Sequence, residues 1–292
     1  QIRYLPQAYG WRGGYGYTNL MFITAGEVIR SVTGKSWAEY VRDNFLNPLE
    51  MSRTQTSVIP LDKMDNVATP HVTHRNNQQL EMAPWEASGA AGGIISSTTD
   101  MLKWLNAQLS NGTVSGKEIF PDKVRNQTMK VHNSYGGQLS FSGTGLGWFI
   151  YDRGGKAVVS HGGGYDGMYS QVVMIPSLDL GIVVLSNSMT GVAGTMAGRI
   201  RDIALDLENP NWLTDATSRE EKNRQTWQDK FKDPVASRIM NTKPSLSKEA
   251  MSGKYTDPLF GNFKVATLSN GAMELQFEKS PRLNATLSHW HH

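Results

Sequence analysis

The sequence has no cysteine in its 292 residues, which excludes disulfide frameworks, thiolate metal sites, iron–sulfur clusters and cysteine nucleophiles. It has no run of five like charges, and its 29 Lys and Arg against 26 Asp and Glu leave a formal net charge of only +3. That balance carries no electrostatic footprint for nucleic acid. It also lacks any apolar stretch near the roughly 18 residues that a membrane span needs. Hydrophobic content of 39% with 9% aromatics excludes a disordered chain. Neither a signal segment nor an initiator opens it: Gln1-Ile2-Arg3-Tyr4-Leu5-Pro6 reads as the middle of something, and the 292 residues are expected to be a piece of a longer protein.

What is present divides into three stretches. Gly13-Gly14-Tyr15-Gly16-Tyr17 is a glycine-rich loop, and Leu20, Ile23, Glu27 and Arg30 follow at helical spacing with Gly34 as the stop. Tyr17 and Asn19 therefore lie where a loop enters a helix. Ser36-Trp37-Ala38-Glu39 is a capping-box pattern, and Ser97-Thr98-Thr99-Asp100 caps another helix with Gly112 beyond its end. Residues 59–84 are polar and without period, as in a long loop with short strands. The small residues of Gly89-Ala90-Ala91-Gly92-Gly93 imply close backbone approach.

Residues 146–151, 157–160, 168–175 and 180–186 are β-rich runs separated by Arg153-Gly154-Gly155, the Gly162–Gly164 cluster and Pro176-Ser177-Leu178-Asp179. Connections this short require antiparallel neighbours. A helix over 196–207 follows, with Ile200, Ile203, Ala204 and Leu207 on one side, then a charged, partly helical linker. The β pattern returns from Ser252, with Asn270-Gly271 as a hairpin signal. The expected organisation is a domain over 1–210, a linker over 211–250 and a small β-rich domain over 251–292.

Two clusters carry chemistry-bearing groups: Tyr17-Thr18-Asn19 at a helix mouth, and His161-Gly162-Gly163-Gly164 at a strand end. Each is a weak signal alone. In order with Asn47-Pro48-Leu49-Glu50-Met51 and Thr54, with Ala91-Gly92-Gly93 leading to the Asp100–Leu105 helix, and with Gly145-Leu146-Gly147-Trp148 and Val183-Val184-Leu185-Ser186-Asn187, they make a specific pattern. Over residues 1 to about 207 the chain resembles the serine β-lactamase-like, penicillin-recognising family, which includes class C β-lactamases, D-amino-acid peptidases and family VIII esterases. The resemblance implies an α/β sandwich, an antiparallel sheet flanked by helices, and acyl transfer without a cofactor on a small-molecule or peptide substrate. It implies that Tyr17 shares a proton with the nucleophile pair and that Asn19 orients the site. By the same resemblance, His161 stands where many relatives carry Lys and supplies a donor or partial positive charge. Gly163 makes room for substrate, the Gly164 amide is an oxyanion donor, and Tyr165 shapes the rim. A periplasmic or secreted location, and the start of a lipocalin-like β domain after the linker, are further implications.

The departure is the nucleophile. The family carries it in a Ser-x-x-Lys turn upstream of Tyr-x-Asn, and the 16 residues before Tyr17 contain no serine. Ser245-Leu246-Ser247-Lys248 is the one match in the chain, and no apolar helical face follows it. The nucleophile, the general-base lysine and the first oxyanion amide are expected on an upstream segment, and the isolated chain is expected to melt without sharp cooperativity. A binding protein of the same fold, without a nucleophile, is the alternative. A metal enzyme built on His289, His291 and His292 is a weaker one, because no carboxylate cluster accompanies them.

Overall fold

A computed structural model describes residues 2–11, 13–73, 77–135 and 141–290. The chain divides into two compact units, one over Tyr9–Lys222 and one made of Gln1–Ala8 with Asn223–His292.

In the first unit α1 (Leu20–Thr33) ends on Gly34, whose φ of 73° is left-handed. The capping box at α2 (Trp37–Val41) forms as the residues predict: the Ser36 hydroxyl accepts the Glu39 amide, and the Glu39 carboxylate accepts the Ser36 amide at 2.8 Å. In the loop that follows, a 3-10 turn over Ile59–Lys63 precedes β1 (His71–Val72), which pairs with β2 (Gln78–Gln79). The small-residue segment is a short helix, α3 (Gly89–Gly92). A Cβ on Gly26 of α1 would stand 2.7 Å from the Ala90 Cβ, so a glycine is what lets these two helices touch. After α3 come α4 (Thr98–Leu109), the hairpin β3 (Thr113–Val114) with β4 (Lys117–Glu118), and α5 (Asp122–Thr128).

The main sheet runs in chain order and is antiparallel throughout: β5 (Asn133–Ser134), β6 (Ser142–Thr144), β7 (Phe149–Arg153), β8 (Lys156–Tyr165), β9 (Met168–Ile175) and β10 (Leu180–Ser186). It is followed by α6 (Val192–Ala204). Strand alternation sends successive residues to opposite faces. Val158, Val173, Ile175 and Ile182 bury against Ala197 of α6, while Val159 and Met174 bury against Leu105 of α4. The sheet is thus covered by a helix on each side, and each fully buried aliphatic contributes about 1.5–3 kcal/mol from leaving water.

Two expectations are corrected. The glycine cluster after His161 does not separate strands. β8 continues through Gly162, Gly163 and Gly164 to Tyr165, held by the register His161↔Val172 to Tyr165↔Met168, and the turn falls at Gly167 with φ of 77°. Glycine is poor at stabilising a strand alone but accepts the extended backbone when a partner strand supplies the ladder. The helix expected over 196–207 runs instead over Val192–Ala204, its buried residues are Ala193 and Ala197, and Ile200 and Ile203 of the apolar stripe are exposed. The small side chains let the helix press close to β9 and β10, and closeness of fit overrides the bulkier stripe.

α7 (Trp212–Ala236) is the helix of the charged stretch, and its range crosses from one unit to the other in the chain. The second unit holds α8 (Lys248–Met251) and a four-stranded meander of β11 (Gly253–Asp257), β12 (Gly261–Thr267), β13 (Met273–Phe277) and β14 (Ala285–Leu287). Its aromatic seam is Tyr255 stacked on Phe263 with centroids 5.5 Å apart, and Phe263 on Phe277 at 5.6 Å. In the Ser245–Lys248 match, Ser247 caps the four-residue α8 and the Lys248 ammonium donates to the Gly271 carbonyl. Both groups serve a cap and a turn. The His289 ring is hydrogen-bonded with the Thr242 hydroxyl at 2.8 Å, and His291 and His292 lie outside the described residues. Among the described residues no group of His, Asp and Glu is placed to hold a metal ion, and no helix is long and apolar enough to cross a membrane.

Candidate active site

Tyr17, Asn19, His161, Gly163, Gly164 and Tyr165 all line one cleft of about 430 Å³ in the first unit. Its floor is β8. The ladder between β7 and β8 runs from Arg153↔Lys156 to Phe149↔Ser160, whereas β9 stays paired along β8 as far as Tyr165. Residues 161–164 therefore have a strand on one side and, among the described residues, open edge on the other. Backbone amides and carbonyls on such an edge are ready to pair with an extended ligand.

Tyr17 reaches the cleft from the loop before α1 and is 58% exposed. Asn19 stands at the N-cap of α1 with αR backbone angles and makes no side-chain capping bond; the Thr18 hydroxyl instead accepts the Leu20 amide at 3.2 Å. Asn19 itself lines the cleft.

His161 faces Tyr17 with ring centroids 6.3 Å apart, and its other flank lies on Phe149 at 5.2 Å. Its Nδ1 is 2.6 Å from the Gly162 carbonyl oxygen. A carbonyl can only accept, so Nδ1 carries the proton, and in the neutral ring Nε2 is the acceptor. The ring offers a second donor only when it is protonated. ¹⁵N-labelled protein at a pH where His161 is neutral is expected to show a pyrrole-type Nδ1 and a pyridine-type Nε2 shift; the reverse pattern would contradict this geometry.

Beyond His161 the aromatic wall continues. Phe149 meets Tyr135 edge-on at 5.9 Å and Tyr15 at 6.5 Å, and Tyr15 packs on Tyr135 at 5.1 Å. Burial raises the Tyr15 phenol above its ordinary value, and the neighbouring phenols of Tyr17 and Tyr9 add to the rise.

The glycines have steric reasons. A Cβ on Gly163 would fall 2.5 Å from the Ser170 Oγ, and one on Gly162 2.9 Å from the Gln171 Oε1, so β9 side chains already occupy those places. Tyr165 packs on Trp85 with centroids 5.2 Å apart. The opposite wall is pinned by a hydrogen-bonded chain. The Ser96 hydroxyl, in the cleft lining, is 2.7 Å from the Thr54 hydroxyl, which donates to the Asp100 carboxylate at 2.9 Å. That carboxylate also accepts the Arg53 amide at 2.8 Å. Asp100 is buried at 2% exposure, and its bonds tie the start of α4 to the Thr54 turn. Trp85 and Phe149 were not singled out from the sequence. An isolated aromatic carries no local sign of which distant residue it will touch.

A family model described as Beta-lactamase matches residues 1–205. Among curated proteins, Unguisins hydrolase ungD of Aspergillus violaceofuscus (strain CBS 115571) is 30% identical over 209 residues, covering 64% of this chain and 36% of that protein. Protein flp of Staphylococcus aureus (strain MW2) is 27% identical over 185 residues, covering 59% of this chain and 33% of that protein. The chain thus spans about a third of the length of these curated relatives. Among solved structures, the octameric penicillin-binding protein homologue from Pyrococcus abyssi aligns with a TM-score of 0.57 at 21% identity, over 94% of this chain and 55% of that one. The class C beta lactamase from Rhodobacter sphaeroides aligns with a TM-score of 0.55 at 21% identity, over 67% of this chain and 62% of that one. At such identities the likeness is one of fold, an antiparallel sheet with helices on its faces. Since the family model spans residues 1–205, and both Tyr17 and His161 lie within that stretch, the chain belongs to the Beta-lactamase family.

Proposed function

We propose that this chain forms the larger part of the acyl-transfer cleft of a serine hydrolase that works through an acyl-enzyme on an amide, β-lactam or ester bond. The observation that carries the reading is Tyr17 facing His161 across the open edge of β8. In this reading the substrate lies along residues 161–164, and the Gly164 amide holds the carbonyl oxygen as it becomes an oxyanion. A serine attacks the carbonyl carbon, and its proton passes to a base. The Tyr17 phenol returns a proton to the leaving nitrogen or oxygen, and water then hydrolyses the acyl-enzyme. Asn19 hydrogen-bonds the substrate's amide or ester side. His161 packs on Phe149 with Nδ1 against the Gly162 carbonyl, which leaves Nε2 as the acceptor of the neutral ring.

Among the described residues, the serines that line the cleft are Ser57, Ser96, Ser170 and Ser186, and no lysine lines it with them. Ser57 donates to Glu86 at 2.5 Å, and Ser96 is engaged with Thr54. The reading therefore assigns nucleophile and general-base lysine to a segment upstream of these residues. The same absence supports a second reading, a fold that binds acyl or peptidoglycan-like ligands without cleaving them. A fluorophosphonate probe followed by peptide mass spectrometry on the full-length protein separates the two. Labelling of an upstream serine, with turnover of nitrocefin or a p-nitrophenyl ester, is expected for the hydrolase. Labelling of a serine within these 292 residues, or turnover by them alone, would overturn the assignment.

A further inference from the structure

Ser96 lines the cleft with a hydroxyl whose proton is committed inside the wall. The antiparallel bridge Gln55↔Ile95, with its two amide–carbonyl hydrogen bonds at 2.8 and 2.9 Å, holds Thr54 and Ser96 beside each other. One oxygen of the Asp100 carboxylate accepts the Arg53 amide at 2.8 Å and the Thr54 hydroxyl at 2.9 Å, and the Lys103 ammonium lies 3.4 Å from the other oxygen. A carboxylate only accepts, and threonine has a single side-chain proton to give. Thr54 therefore donates to Asp100, and the 2.7 Å contact between the two hydroxyls is made by the Ser96 proton. The other acceptor within reach of that proton is the Ser97 carbonyl at 3.4 Å, and Ser97 is not among the residues that line the cleft. With either partner, what Ser96 offers a ligand is its lone pairs.

We infer that Ser96 is a specificity-determining residue of the cleft that accepts a hydrogen bond from a ligand N–H, and that Thr54 and Asp100 are positioning residues that fix its polarity. The class of substrate this selects is an acyl compound carrying an amide N–H, in preference to an ester or ketone of the same shape. The inference rests on the hydrolase reading only for the chemistry done on that ligand. Its basis is a set of groups that are present: a side chain brought in from an upstream segment can compete for the Ser96 oxygen but cannot turn it into a donor while Thr54 holds its proton. Threonine is no base, so the chain orients Ser96 without activating it as a nucleophile. A ligand N–H matched to this acceptor gains a factor of about three to ten in affinity over a group that cannot donate.

Equilibrium binding to the full-length protein, measured by calorimetry at neutral pH, tests this without any need for turnover. Benzoylglycine dimethylamide and benzoylpropionic acid dimethylamide share one skeleton and differ in an N–H against a methylene. The N–H compound is expected to bind about three- to tenfold more tightly. Ser96→Ala is expected to bring the ratio to near unity by weakening the N–H compound alone. Thr54→Val takes away the acceptor of the Ser96 proton and lets the hydroxyl turn, so it is expected to narrow the ratio, whereas Thr54→Ser is expected to keep it. A merely structural role for Thr54 would weaken both compounds together. Equal affinities or a tighter ketone in the unmodified protein, binding of neither compound, a ratio that survives Ser96→Ala, or a Thr54→Val protein with the full ratio would each overturn the inference. The comparison in the unmodified protein decides the matter by itself where a variant does not fold. Failure of the hydrolase reading would show instead as absent turnover and no labelled upstream serine, with the N–H preference intact.

Discussion

Replacing Tyr17 by Phe in the full-length protein is expected to lower kcat for p-nitrophenyl ester hydrolysis by about 10²–10⁴-fold, the span that a positioned acid–base group contributes. KM should change far less, because the substitution removes one oxygen and keeps the ring. That ring faces His161 at 6.3 Å, so its packing survives while its proton is lost. Tyr15→Phe is the matched control. Its ring packs on Tyr135 and Phe149 behind the site, and burial pushes its phenol up, away from use near neutral pH. The control is expected to keep near-normal kcat. If Tyr17→Phe and Tyr15→Phe behaved alike, Tyr17 would have no special part in proton transfer. A fall in both would point to the shared aromatic wall rather than to the phenol.

The second large effect concerns stability and lies away from the cleft. Asp202 of α6 accepts from Arg153 of β7 through Nη2 at 2.8 Å and Nε at 3.1 Å, and from the Arg201 Nε at 2.8 Å. Arg201 also donates to the Tyr151 hydroxyl at 2.9 Å. The Asp202 and Arg201 side chains are only 13% and 16% exposed, so deleting the carboxylate strands a guanidinium that is largely out of water. Asp202→Ala is expected to cost about 3 kcal/mol at neutral pH, the low end for breaking a buried ion pair because Arg153 is more exposed. Burial pushes the Asp202 carboxyl upward, but the hydrogen bonds from Arg153 and Arg201 outweigh it and hold the group below the usual carboxylate range. A folded-state value below the unfolded one means that the stabilisation is present above the unfolded value of about 3.9 and is lost as pH falls through the folded value. Urea denaturation at neutral pH and near pH 3 measures this. The gap between wild type and Asp202→Ala should be wide at the first and narrower at the second. A gap independent of pH would mean that packing, and not charge, is what Asp202 supplies.

Much of the fold was legible because its signals are local. The Ser36–Glu39 box, the Gly34 stop and the bounds of β9 and β10 follow from residues within a few positions of each other. β8 read short because Gly162, Gly163 and Gly164 resemble a turn until the pairing with β9 is known. β5 and β6, built from Asn133-Ser134 and Ser142-Gly143-Thr144, have no apolar alternation to announce them and exist through register with β7. The outward turn of Ile200 and Ile203 was equally hidden. Which stripe of a helix is buried depends on how near the sheet it can come, and the two alanines decided that.

For the candidate site, Tyr17, Asn19, His161 and the glycines were picked out by residue type and order, and they converge in one cleft. The sequence by itself determined which groups could do chemistry, where α1, α2 and α4 start, and that these 292 residues offer neither thiol nor disulfide chemistry. Tertiary structure alone decided that His161 packs on Phe149 with its Nδ1 against its neighbour's carbonyl, and that, among the described residues, β8 keeps an open edge past Ser160. Those features depend on strand register and on side chains that meet across long loops, and distances between residues far apart in the chain are set only when the whole sheet has packed.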